Sequence, residues 1–80
     1  MTKKELIMLH SKLKDLISFC YEKNKSVMTE LERNECEEYL YQQGEYELAL
    51  DSLLATIENH KIKLDQECSV KLEEAKKIMS

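Results

Sequence analysis

Apolar residues return every three or four positions along this chain, and four such stripes can be drawn. The first comprises Leu6, Leu9, Leu13, Leu16, Ile17 and Cys20, and it follows Thr2-Lys3-Lys4-Glu5. That opening is a capping-box pattern, in which a threonine and a glutamate three residues later satisfy each other's backbone donors. The first helix is predicted to fade between Tyr21 and Asn24, with a short linker around Asn24–Met28. A second helix is predicted to open at Thr29, where Glu32 completes another capping box, and to run to about Gln43. Gly44 ends it, because glycine accepts the left-handed backbone just past a helix end without a Cβ clash. The third helix starts near Glu45 and carries Tyr46, Ala49, Leu50, Leu53, Leu54 and Ile57, ending around Asn59-His60. Ile62 and Leu64 tuck the next connection inward, and Asp65 is a natural cap for a fourth helix with Leu64, Cys68, Leu72, Ala75 and Met79 on one face. Connections this short favour antiparallel neighbours. The expected fold is all-α, a compact bundle of three to four short antiparallel helices forming a single helical domain over residues 1–80.

Composition reinforces that pattern. Proline is absent and Gly44 is the single glycine, so the tight corners that a sheet needs are missing. A chain of 80 residues buries only about 60–65% of its unfolded surface, which leaves little room for an enclosed active site. No segment approaches the roughly 20 apolar residues that span a bilayer. Glu5 and Lys12 interrupt the first apolar run too early for a signal peptide. The three cysteines, Cys20, Cys36 and Cys68, are odd in number and widely spaced, unlike a disulfide scaffold. These features together point to a cytoplasmic protein.

Charge divides the chain unevenly. Residues 30–58 contain nine acids against Arg33 alone, a net of −8, while residues 1–29 hold six lysines against three acids and residues 59–80 five lysines against four acids. In the second helix Glu30, Asn34, Glu37, Glu38 and Tyr41 fall at i, i+4, i+7, i+8 and i+11, which predicts one face opposite Cys36 and Leu40. Glu47, Asp51 and Glu58 extend the acidic surface onto the third helix. Like charges at i,i+4 cost a few tenths of a kcal/mol each. Such a face can be a merely solvated surface, or one matched to a basic partner. Tyr41 among the acids favours the second reading, since aromatics are enriched at interface hot spots. The residues expected to bind a partner are therefore Glu30, Glu37, Glu38, Tyr41, Glu45, Glu47 and Asp51.

Catalytic chemistry has little to stand on. The cysteines with His10 and His60 form neither a C-x-x-C nor a paired H-x₃-H arrangement. Each cysteine lies on an apolar stripe, where packing explains it. His60 falls at a helix end, where it can interact with the dipole. With one glycine there is no phosphate-cradling loop, and a face of −8 repels nucleic acid. No enzyme activity, cofactor, metal, small-molecule substrate, membrane or direct nucleic-acid contact is expected.

Two resemblances add to this reading. Gly44-Glu45-Tyr46 followed by Ala49 resembles the G-x-Y-x-x-A helix corner of a tetratricopeptide repeat, in which tyrosine packs across the turn and alanine lets the helices approach. Glu37, Thr56 and Lys61 depart from that family's small residues and proline, and a solenoid needs about three repeats. The second resemblance covers residues 39 to the C-terminus. Gln43-Gly44-Glu45-Tyr46, the Leu48-Ala49-Leu50 that follows, the leucines of the third helix and the Ile62-x-Leu64 connection resemble the MafI-type immunity proteins of polymorphic-toxin and contact-dependent inhibition systems. That resemblance implies a small helical protein that neutralises a cognate toxin domain as a 1:1 heterodimer. The toxin is often a nuclease, in some systems an EndoU-like RNase. It carries over no contact residues. The alternative is a tetratricopeptide-like adaptor or regulatory subunit that docks a peptide or protein.

Overall fold

The computed structural model describes residues 2–79, and among them every regular element is helical. Helix α1 spans Lys3–Asn24, with the Thr2 hydroxyl accepting the Glu5 backbone N–H at 3.2 Å. Its buried residues are Leu13, Leu16, Ile17, Cys20 and Tyr21, an i, i+3, i+4, i+7, i+8 stripe. The Asn24 side chain donates to the Cys20 carbonyl at 2.8 Å, which satisfies one of the acceptors a helix end leaves open. A 3₁₀ turn over Lys25–Val27 follows, and Met28 turns into the core.

Helix α2, Glu30–Glu37, opens with the complete Thr29/Glu32 capping box. It does not continue as an α-helix to Gln43. Residues Glu38–Gln43 wind as a π-helix that ends at Gly44, where φ is +64° and ψ is 28°. The Gly44 and Glu45 N–H groups both return to the Tyr39 carbonyl, so the wide turn is closed from its far end. Helix α3, Tyr46–His60, stops at Lys61, whose left-handed backbone (φ 51°) sends its N–H to Glu58 and the Ile62 N–H to the Ile57 carbonyl. Helix α4, Gln66–Met79, is capped by Asp65, whose Oδ1 accepts the Cys68 N–H at 2.8 Å. That bond, with the Lys23 ammonium at 2.9 Å, pulls the Asp65 carboxyl down to about 2.

Cross-helix contacts give the direction of each element. Lys14–Tyr41, Tyr21–Glu37 and Lys25–Arg33 run in opposite order along α1 and α2 with its π extension. Glu32–His60 and Glu35–Ser52 do the same for α2 and α3, and Lys23–Asp65 and Lys12–Glu74 for α1 and α4. The chain is thus an up-down-up-down four-helix bundle closed by α4 against α1. Leu53, Leu40, Ile17, Tyr21 and the three cysteines fill its centre, and none is more than 1% exposed. Each fully buried side chain of leucine size contributes about 1.5–3 kcal/mol. The first-helix stripe departs from expectation at one end: Leu6 is exposed and Leu9 only half-buried. Periodicity identifies the inward face of a helix, not how far its partners extend.

Candidate functional site

The acidic segment becomes the α2–α3 hairpin, and its charge is left largely uncompensated. Arg33, its one cation, is turned inward: Nη1 donates to the Met28 carbonyl at 2.6 Å and to the Lys25 carbonyl at 3.4 Å. It caps the preceding turn and neutralises no carboxylate. Three acids are spent on structure. Glu32 accepts from the Thr29 backbone N–H at 2.8 Å and from His60 Nε2 at 2.8 Å, and these two bonds, in that order, hold its carboxyl below the usual range. Glu35 accepts from the Ser52 hydroxyl at 3.1 Å, joining the two helices. Glu37 accepts from the wholly buried Tyr21 hydroxyl. Burial, then that carboxylate, pushes the Tyr21 phenol well above its ordinary value.

The expected face of seven residues is therefore split. Glu37 is half-buried against α1, while Asn34 and Tyr41 are exposed as expected; Tyr41, 46% exposed, stands on the flank of Glu37, under the Lys14 ammonium at 5.7 Å from its ring centroid. Glu37, the last residue of α2, takes that flank within α spacing; for Tyr41 the cause is the π-helix. Its i→i+5 bonding widens the turn, so each residue after Glu38 rotates less than α spacing assumes, and Tyr41 swings toward α1. The single outward face expected for Glu30, Asn34, Glu37, Glu38 and Tyr41 is corrected accordingly. Glu30, Glu38, Glu45, Glu47 and Asp51 are exposed. Glu38 is held by Gln43 Nε2 at 2.8 Å. For Glu30, Glu45, Glu47 and Asp51 the described residues provide no hydrogen bond or ion pair through the carboxylate.

Two apolar residues complete the surface. Leu31 is 77% exposed and Leu48 is 45% exposed. By helical register Leu31 shares the outer side of α2 with Asn34 and Glu38, and Leu48 that of α3 with Asp51 and Ala55. Leu31 was absent from the expected site because an acidic pattern draws attention to charge. A leucine one step off the α2 core stripe was the available signal.

Other chemistry is sparse. Burial pushes the Cys20 and Cys36 thiols up to about 12, the reverse of an activated thiolate. No group of three or more metal-capable side chains, and no helix long and apolar enough to cross a membrane, occurs among the described residues. No protein-family model matches the chain, and no curated protein or solved structure is detectably similar to it.

Proposed function

We propose that this chain is an immunity protein that binds a cognate bacterial toxin domain one-to-one and occludes its active site or basic substrate groove with the outer face of the α2–α3 hairpin. One observation carries the reading: Glu30, Glu45, Glu47 and Asp51 are exposed and uncompensated, on the two helices that present Leu31 and Leu48. Folding gains little from such an arrangement beyond the helix-dipole effect on Glu30, Glu45 and Glu47 at the starts of α2 and α3, since like charges repel and a leucine 77% exposed buries little. A partner with lysines and arginines around an apolar contact gains from both. The acids would steer encounter and form charge-assisted bonds, and the leucines would supply the dry centre of the interface. A nuclease groove, built to hold phosphate, has that chemistry. The resemblance of residues 39–80 to MafI-type immunity proteins supports the same partner class.

A second reading, a helix-corner adaptor that docks short peptides, is favoured by the left-handed Gly44 with Ala49 buried behind it. The two differ in partner and strength: nanomolar for a toxin, micromolar for a peptide. The deciding experiment co-expresses the chain with the product of its neighbouring gene and titrates any purified pair at low and high salt. Glu47→Lys/Asp51→Lys is expected to slow association at least about tenfold and flatten its salt dependence. Leu31→Ala is expected to speed dissociation. If both variants fold and bind as wild type does, this face is not the interface.

A further inference from the structure

The first turns of α1 carry Leu6-Ile7-Met8-Leu9, four apolar residues in succession. On a helix such a run surrounds the whole circumference, and a helix apolar all round belongs inside something. Here it is uncovered: Leu6 is exposed, Ile7 is 60% exposed and Met8 63%. At the α2–α3 corner the His10 ring meets the Tyr46 ring edge-on at 5.8 Å. Residues 3–8, on the N-terminal side of that contact, are all exposed, and Leu9 is half-buried. Single exposed apolar residues are ordinary, but a contiguous set on a helix end marks a contact surface.

Charge indicates what covers it. Lys3 and Lys4 at the tip are exposed and make no ion pair among the described residues. Glu45 and Glu47, beside the corner, are exposed and equally unpaired, with Leu48 next to them. One chain therefore carries a basic, apolar tip and an acidic corner with an apolar residue, and the two do not pair with each other within that chain. Across a twofold axis they can, because the tip of one copy meets the corner of the second and the reverse holds.

We infer that the exposed tip of α1 is a homodimerisation element that seats on the α2–α3 corner of a second copy. Ile7 and Met8 pack toward Leu48, and Lys3 and Lys4 face Glu45 and Glu47. A specific interface covers roughly 800 Å² per partner, against a total surface of 5500 Å² for this chain. Two helical turns offer no more than that, which sets the area the dimer can bury. This inference does not rest on the toxin reading, and its test uses the isolated chain.

The test is solution mass by sedimentation or light scattering across concentration and salt. Wild type is expected to rise from 9.5 kDa toward twice that mass at low salt, and to fall back at high salt. Ile7→Glu/Met8→Glu, at exposed positions where acids near a helix N-terminus are tolerated, is expected to keep full helicity and remain monomeric. Lys3→Glu/Lys4→Glu is expected to weaken the dimer at least about tenfold, and adding Glu45→Lys/Glu47→Lys to it restores the dimer. A wild type that stays monomeric at millimolar concentration overturns the inference. So does a dimer that survives Ile7→Glu/Met8→Glu, or a charge swap that fails to restore it. Capture of the monomeric chain by anionic vesicles through Lys3 and Lys4, without a dimer, would assign the tip to a lipid surface instead.

Discussion

Removing the Tyr21 hydroxyl isolates a part-buried polar contact between α1 and α2. Tyr21 lies wholly in the core and donates to Glu37. A hydrogen bond to a charged group contributes about 1.5–3 kcal/mol net. Glu37 is only half-buried, so water can reach its carboxylate once the phenol is gone, and the cost of Tyr21→Phe belongs at the lower end, about 1.5 kcal/mol. Glu37→Ala leaves the hydroxyl in the core without its acceptor, at about 1–3 kcal/mol. For a domain of this size the stability at stake is about 4–12 kcal/mol, and a 1.5 kcal/mol loss lowers Tm by roughly 6–12 °C. The assay is urea unfolding of wild type, both single variants and the double variant. The double variant should lose markedly less than the two single losses added, with a coupling of about 1 kcal/mol or more. A coupling below about 0.3 kcal/mol would refute the claim that the pair acts as one unit. Weak binding by a Glu37 variant must accordingly be read against its stability.

Gly44→Ala should cost about 1 kcal/mol, entirely through the left-handed backbone, because a Cβ there would meet only the Tyr46 hydroxyl at 3.8 Å and its Cζ at 4.0 Å; an unchanged melting curve would contradict this. Asp65 gives a pH signature. Its folded value of about 2 lies below the ordinary 3.8, so its contribution is present above the ordinary value and lost as pH falls through the folded one. The stability difference between wild type and Asp65→Asn, measured by urea unfolding, should therefore be constant above about pH 5 and shrink between about pH 4 and pH 2; a difference that grows on acidification would reverse the assignment.

Helix existence, the Gly44 turn, the Thr29 box and the Asp65 cap were all legible, because each depends on local chemistry within four residues. The π-helix was not. Glu38–Gln43 uses residues that suit an α-helix equally well, and the winding is decided by how Leu40 packs and how Gly44 closes the end. The widened turn moves Tyr41 off the position that α spacing gives it. Glu37 is engaged because α1 runs on through Tyr21 to Asn24, where the pattern predicts it to fade, and so brings a buried phenol against the carboxylate. The exposure of Leu6 depends on where α1 meets the α2–α3 corner, which periodicity within α1 does not encode.

Helix α4 rests chiefly on α1, and that seam has a consequence for how the protein breathes. Its outer links, Lys12–Glu74 and Lys23–Asp65, are exposed ion pairs, each contributing about 0–1 kcal/mol. The connection before it, residues 62–65, has no regular structure. The α2–α3 hairpin, tied by Glu35–Ser52 and Glu32–His60, stays intact if α4 swings away. Opening at α4 is then an excursion that leaves the rest of the bundle folded, as cooperative sub-units of a fold open independently. It uncovers Cys20 and Cys68 together, which are linked by the Cys20 thiol on the Cys68 carbonyl at 3.5 Å, while Cys36 remains sealed between α2 and its neighbours. Pulsed thiol labelling would resolve the excursion as two cysteines reacting in step and the third only on global unfolding.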